Sequence, residues 1–356
     1  MSLTVRVFEA AQPTWDDFLA RPQLKSHVSF MHTWEWGSVM SEKARDFVRL
    51  GIYDGEQLVG LVQAARYRLK IGGNFWYSPR GAAIDYSNSQ LVTETYRALS
   101  TYFRGKGVAF YRADPDIVRG DPAEAAIDSL TPGQAAIFTQ AERVWCVDLQ
   151  DDEEQLMAWL KEHGMRKNVP YYLRKNIKAG VTVRASDSAE DLEKMITLLN
   201  ELNERKGGIG KHMDDHYRLQ FAALAPKGYE KVFLAEKDGQ VLAGALISIY
   251  GREAGYLHGA SSSLERELSA SHYLHYEIMK YLQENNPEIA RYNLWGIVSD
   301  KNRTPKHPRH GYSEFKRSFG GYKEHYIRAR DFFYNWPVWK LDWFISAYRA
   351  WKHKND

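Results

Sequence analysis

The run Asp54-Gly55-Glu56-Gln57-Leu58-Val59-Gly60 returns as Asp238-Gly239-Gln240-Val241-Leu242-Ala243-Gly244, with the same spacing and residue types. Each copy follows an apolar stretch (residues 47–53 and 232–236) and precedes another (61–66 and 245–250). A third, aromatic-rich stretch closes each: Phe75-Trp76-Tyr77 and Tyr256-Leu257-His258. Asp-Gly between alternating apolar runs predicts a hairpin, because a type I′ turn demands positive φ at both central residues. Two hairpins of one layout, each flanked by helical stretches, predict a duplicated α+β module rather than one large sheet.

A length of 356 residues fits two domains. The chain is 44% hydrophobic and 26% charged, the balance of a globule with ample core. Aromatics reach 13%, a share that suits grooves and interfaces as well as core. The net charge of +3 does not declare a nucleic-acid binder, but the charge is unevenly spread. Residues 160–184 carry Lys161, Arg166, Lys167, Arg174, Lys175, Lys178 and Arg184 against Glu162 alone, and residues 299–328 are also basic. Such stretches serve anionic, phosphate-bearing ligands or simply face solvent. Cys146 is the single cysteine and alternates like a buried strand residue, so no disulfide framework exists. With no signal-like N-terminus and no run approaching 18 apolar residues, the expectation is a cytoplasmic protein.

Periodicity predicts helices over residues 15–20, 33–42, 89–103, 189–205, 214–224 and 270–284, and strands over 5–8, 108–112 and 292–297. Pro115 biases Asp114 toward a strand end that faces a cleft or loop. Acidic residues 151–154 start a helix and mark the boundary between modules. Pro170 fits the first turn of a basic helix that Gly180 ends. On that helix Lys167, Arg174 and Lys178 share one face and are candidate phosphate contacts.

Conventional catalytic motifs are absent. There is no Gly-x-Ser-x-Gly, no His-Glu-x-x-His and no cysteine pair with metal spacing, so no metal site is expected. Gly207-Gly208-Ile209-Gly210-Lys211-His212 fails as a phosphate loop, since Arg205 replaces the first glycine and His212 the Ser or Thr. His272 and His275 share a helix face without a third ligand, as solvated or core histidines do. The segment Gly311-Tyr312-Ser313-Glu314-Phe315-Lys316-Arg317-Ser318-Phe319-Gly320-Gly321 brackets two cations with Phe315 and Phe319. A lysine between rings, partly desolvated, suits a developing oxyanion or a phosphate, and the same spacing also fits a plain strand-turn.

The Phe-Lys-x-x-Phe-Gly-Gly segment stands with Trp295-Gly296-Ile297, Tyr256-Leu257-His258-Gly259-Ala260-Ser261-Ser262 and Arg112-Ala113-Asp114-Pro115. Together they resemble the Fem family, the FemA, FemB, FemX and MurM-type aminoacyltransferases of peptidoglycan bridges. His32-Thr33-Trp34-Glu35-Trp36-Gly37 and residues 166–180 are similar to that family's opening helix and basic helix, so the resemblance covers nearly the whole chain. It implies an α+β fold of two tandem acetyltransferase-like (GNAT) modules, residues 1–150 with a returning tail at 322–356, and residues 151–321. The coiled-coil arm that some members insert is not visible.

The implied reaction moves an amino acid from the 3′ ester of an aminoacyl-tRNA to a stem-peptide amine of a peptidoglycan precursor, lipid II or its nucleotide-linked form. No cofactor is implied beyond aminoacyl-tRNA as co-substrate. An activated ester and an amine need positioning and charge stabilisation, so a missing Ser or Cys triad is in keeping. By this resemblance Lys316 stabilises the oxyanion and Asp114 is the second catalytic group. Trp36, Arg112, Lys211, His212, Tyr217, Tyr256, His258 and Phe315 are the expected substrate contacts, and Lys167, Arg174 and Lys178 the tRNA contacts. The chain departs from the family pattern in three places. Met40 stands where diphosphate-binding members carry lysine, Glu42 replaces an asparagine, and His258 replaces the second tyrosine of Tyr-x-Tyr. Two alternatives stay open: acylation of another acceptor in exopolysaccharide or envelope synthesis, and a non-catalytic module that binds precursor or RNA.

In the final segment Leu341, Phe344, Tyr348 and Trp351 form one apolar stripe, with charge from Lys340, Arg349, Lys352 and Lys354. It is read first as a helix docking back onto the first module. The other expectation is peripheral contact of Trp339, Trp343 and the terminal lysines with an anionic inner leaflet.

Overall fold

The computed structural model describes residues 3–137, 139–205, 213–263 and 267–352. The first stretch of chain runs β1 (Leu3–Val7), α1 (Gln12–Leu19), α2 (Trp34–Lys43), β2 (Asp46–Asp54), β3 (Gln57–Arg68), β4 (Asn74–Ser78), α3 (Ser89–Arg104), β5 (Phe110–Ala113), α4 (Pro122–Asp128) and β6 (Gly133–Gln134). The second runs β7 (Arg143–Asp148), α5 (Glu153–Glu162), α6 (Val169–Lys178), β8 (Thr182–Ser186), α7 (Ala189–Arg205), α8 (Asp214–Leu224), β9 (Glu230–Lys237), β10 (Gln240–Tyr250), β11 (Glu253–Ser261), α9 (Ala270–Asn285), β12 (Arg291–Gly296), α10 (His310–Arg317) and β13 (Tyr322–His325). The tail adds β14 (Arg330–Phe333) and α11 (Trp336–Lys352).

The duplication is explicit in the sheets. One has the order β1-β2-β3-β4-β5-β14-β6 and the other β13-β7-β12-β11-β10-β9-β8. In each, three antiparallel pairings lead to one parallel pair made by a helical crossover, β4 with β5 after α3 and β11 with β12 after α9. An antiparallel strand then covers the crossover strand: β7 pairs with β12, and β14, from the tail, pairs with β5. The tail therefore does return to the first sheet.

Two compact units result, Met1–Arg143 with Val298–His307 and Glu324–Asp356, and Val144–Ile297 with Pro308–Lys323. The sequence puts the division after residue 150. Because β7 hydrogen-bonds to β12, residues 144–148 lie in the second unit.

The two hairpins close differently. In the second, Asp238 and Gly239 both take positive φ, 50° and 76°, as a type I′ turn requires. In the first, Asp54 pairs with Gln57 and the loop is Gly55–Glu56, with positive φ at Gly55 alone. That is the II′ pattern, which puts glycine first. The crossover helices are amphipathic: α3 buries Leu91, Val92, Tyr96, Leu99 and Phe103, and Asn88 caps it by accepting from the Leu91 N–H.

A buried acid marks the second core. Glu230 is fully buried, accepts from the Gln220 amide, and its Oε2 finds no partner among the described residues. Burial pushes its carboxyl from 4.5 up to about 8. The folded state thus holds this proton more tightly than the unfolded chain. The contribution of this group to stability is full below about 4.5 and is lost progressively as pH rises to about 8. Glu230→Gln is expected to flatten that slope and to add about 1–3 kcal/mol at alkaline pH, read from urea unfolding. Equal pH slopes for the two proteins would refute it.

Candidate functional site

In the second unit β11 and β12 pair only from Glu253–Arg291 to Gly255–Asn293 and then part. Past that point β11 follows β10, with a register shift at Leu246/Ile247, while β12 reaches Gly296 opposite Val144. Trp295 takes φ 66°, a left-handed conformation costly for a bulky residue. A cavity of about 290 Å³ opens here, lined among others by Tyr256, Gly259, Ser269, His272, His275, Tyr312 and Phe315.

Residues 310–317 form the helix α10, where the sequence also allowed a strand-turn. Helical geometry changes which rings hold Lys316. Residues four apart are neighbours, so Tyr312 rather than Phe315 or Phe319 lies over the ammonium, with Nζ 3.7 Å from its ring centroid and 5.6 Å from that of Tyr256. Phe315 and Phe319 meet each other instead, edge to face at 5.3 Å. Lys316 is fully buried and Nζ donates to the Gly296 carbonyl at 2.8 Å. Burial, and then the nearby Arg309 charge, hold its pKa well below the ordinary lysine value.

Two glycines fix the end of this helix. Gly320 and Gly321 take φ 84° and 112°, and a Cβ would stand 2.4 Å from the Leu160 oxygen and 2.2 Å from the Cys146 oxygen. No other residue fits either position without moving backbone.

Two histidines on α9 complete the wall. His275 shares a 2.7 Å hydrogen bond with the Tyr292 hydroxyl, and His272 one of 3.1 Å with Ser318 Oγ. Burial lowers both, His275 to about 3 and His272 to about 4, so both are neutral in the folded state. The sequence put them on one helix face; that the face lines a cavity follows only from the crossing of α9 and α10. Tyr312 is the other residue that sequence reasoning passed over, and its i, i+4 spacing to Lys316 was the available signal.

His258 and Tyr217 form a separate ring pair, centroids 4.8 Å apart, and burial lowers His258 to about 4. Lys211 and His212 lie outside the described residues. On α6, Arg174 and Lys178 are exposed, as is Lys167 just before it, with Tyr171 and Ile177 exposed among them.

The first unit holds the other expected residues. Asp114 follows β5 directly and is buried, accepting from Tyr77 Oη at 2.9 Å and from the Arg80 N–H at 2.8 Å. Desolvation raises its carboxyl to about 6 against the pull of Arg80. Arg80, which the sequence did not single out, takes φ 58° and pairs with Asp116 at 3.3 Å. A non-glycine residue held there is uncommon and stores backbone strain. Around Asp114, Arg80, Gln140 and Tyr326 lies a hollow of about 10 Å³, water-sized. Arg112 is tied through both Nε and Nη2 to Asp331, at 2.6 and 2.8 Å, which anchors β14. Trp36 sits on α2 with its ring edge to face on Phe30.

Comparison with known proteins agrees with this architecture. An acetyltransferase (GNAT) domain matches residues 163–317, and the FemAB family matches residues 12–227. The crystal structure of FemX superposes with a TM-score of 0.81 at 18% identity, over 96% of this chain and 99% of that one, a likeness of fold. A lipid II:glycine glycyltransferase of Staphylococcus epidermidis is 33% identical over 155 residues, 43% of this chain and 36% of that protein, so the match spans little more than a third of it. One of Staphylococcus aureus is 22% identical over 340 residues, 74% of this chain and 78% of that one. The fold is α+β with two GNAT-like modules, and the chain belongs to the FemAB family.

Proposed function

We propose that this protein transfers an aminoacyl group from aminoacyl-tRNA to a side-chain amine on the stem peptide of a peptidoglycan precursor. The observation that carries the reading is Lys316, fully buried beneath Tyr312 and Tyr256, two residues that line the second-unit cavity. The names of the relatives, lipid II:glycine glycyltransferases, support a lipid-linked precursor as acceptor.

In the reaction the amine nitrogen attacks the ester carbonyl, a C–N bond forms, the bond to the ribose oxygen breaks, and the proton lost by nitrogen ends on that oxygen. Protonated Lys316 donates to the carbonyl oxygen as it becomes an oxyanion; the developing charge favours the ammonium that burial otherwise disfavours. Asp114 of the first unit, raised toward neutrality by burial, is a separate candidate for a general base. Phe315, Tyr256, His258 and Tyr217 are candidate contacts for the acyl donor, and Trp36 for the acceptor. A charged-tRNA donor places the reaction in the cytoplasm. The test is incorporation of labelled amino acid from charged tRNA into lipid II or a soluble murein pentapeptide by purified protein. Incorporation that survives ribonuclease treatment of the donor would sink the reading.

The α6 face is the candidate tRNA contact. Arg174→Ala with Lys178→Ala is expected to weaken tRNA binding and flatten its dependence on log salt by about one to two units. An unchanged slope would reassign these cations to solvent.

A further inference from the structure

The tail helix α11 docks by one face and leaves the opposite one bare. Trp339 is buried against Phe333, at 4.9 Å, and its Nε1 donates to Asp331 at 2.8 Å. Trp343 Nε1 donates to the Gln134 carbonyl at 3.0 Å. These two aromatics, which the sequence offered as membrane contacts, are therefore the docking face. On the far side Leu341, Phe344, Tyr348 and Trp351 are 53%, 56%, 60% and 76% exposed. With Trp336 they make five of the eleven large apolar side chains that are exposed among the described residues, so the exposure is concentrated on one helix.

Charge is ordered around this stripe. At about 100° per residue the four side chains fill an arc of roughly 80°, with Lys340 at about 20° beyond one edge and Lys352 at about 20° beyond the other. Arg349 is exposed further round. The helix's only acid, Asp342, is half-buried and feels Arg112 and Asp331 of the docked side as well as Arg349. No helix among the described residues is long and apolar enough to cross a membrane.

We propose that this face of α11 lies in the surface of an anionic lipid bilayer. Trp, Tyr, Phe and Leu enter the boundary between headgroups and acyl chains, and Lys340 and Lys352 reach sideways to lipid phosphates. A second copy of the chain is the poorer occupant: a two-fold pairing of the stripe with itself brings the flanking lysines of both copies together, whereas phosphates neutralise them. The inference goes beyond the transfer reaction and does not depend on the acceptor.

The test is flotation of the full chain with vesicles of phosphatidylcholine alone and of equal parts phosphatidylcholine and phosphatidylglycerol, at low salt. The wild-type chain is expected to float with the anionic vesicles. Phe344→Ser with Trp351→Ser should cut the partition coefficient about tenfold or more. Lys340→Gln with Lys352→Gln should cut the preference for anionic over neutral vesicles by roughly fivefold per lysine. All of these side chains but the half-buried Lys340 are exposed, and transfer to a soluble acceptor, which should not change, shows that each variant is folded. A wild-type chain that stays at the bottom, or a serine variant that floats like it, overturns the proposal. So does a wild-type dimer in sedimentation equilibrium that the serine variant dissolves.

Discussion

Lys316→Met is expected to lower turnover by about 10²–10³-fold, the scale for removing one oxyanion donor, while leaving the protein as stable as before or more so. The two effects have one cause. Lys316 is fully buried, with a 2.8 Å hydrogen bond to Gly296 as its one side-chain hydrogen bond among the described residues and a tyrosine ring 3.7 Å away. Holding a charge there costs folding free energy, as its lowered pKa records. Methionine keeps the stem length and removes that cost. Lys316→Arg should rescue poorly, since a planar fork does not fit where a point charge stacks on Tyr312. Tyr312→Ala gives a second handle: by opening Nζ to water it relieves the burial that lowers the lysine's pKa, and where that outweighs the lost ring contact the alkaline limb of the rate profile should shift upward. A Lys316→Met protein that turns over like the wild type would remove the assigned role. One that loses activity together with its thermal transition would show a structural part only.

Much of the fold was legible because it repeats. The double Asp-Gly pattern predicted two modules, and the predicted helices over residues 189–205 and 214–224 match α7 and α8 end for end. Their apolar positions recur at helical spacing over enough turns to be unambiguous. What the residues' own patterns did not show was short or long-range, although the family resemblance implied the returning tail. β14 is four residues long and pairs with β5, more than two hundred positions earlier, and no local pattern announces that. α10 spans eight residues, and there the period of a helix cannot be told from that of a turn.

That ambiguity decided how much of the site could be read. Lys316 was visible from its neighbours, but its partners depended on whether residues 312 and 316 share a helix face. Arg80 lies in the turn after β4, in a Ser-Pro-Arg-Gly run that reads as an ordinary loop. Its positive φ and its bonds around Asp114 and Asp116 exist only once β4 and β5 lie side by side. Arg112 shows the converse. Its type suited an anionic substrate, yet its guanidinium closes a bidentate pair with Asp331 brought by the tail.

Asp114→Asn is expected to cost about 10²–10⁴ in turnover, the range for a positioned general base, and to erase the acid limb of the rate profile. In the wild type that limb should fall near pH 6, because burial raises the Asp114 carboxyl to about 6 and only the ionised form takes a proton. If Lys316 acts as proposed, the alkaline limb is expected to report its ammonium and to lie well below an ordinary lysine's. Stability supplies an independent sign. A carboxyl whose folded pKa is raised from 3.8 to about 6 stabilises the fold at low pH and loses that contribution as pH rises across this window. The asparagine variant, which can still accept from the Arg80 N–H and meet Tyr77 Oη, should therefore be more stable than wild type above about pH 6 and less active. Rates for the variant that still fall with acid near pH 6 would assign the limb to another group. A variant both inactive and destabilised would make Asp114 the organiser of the Arg80 turn rather than the base.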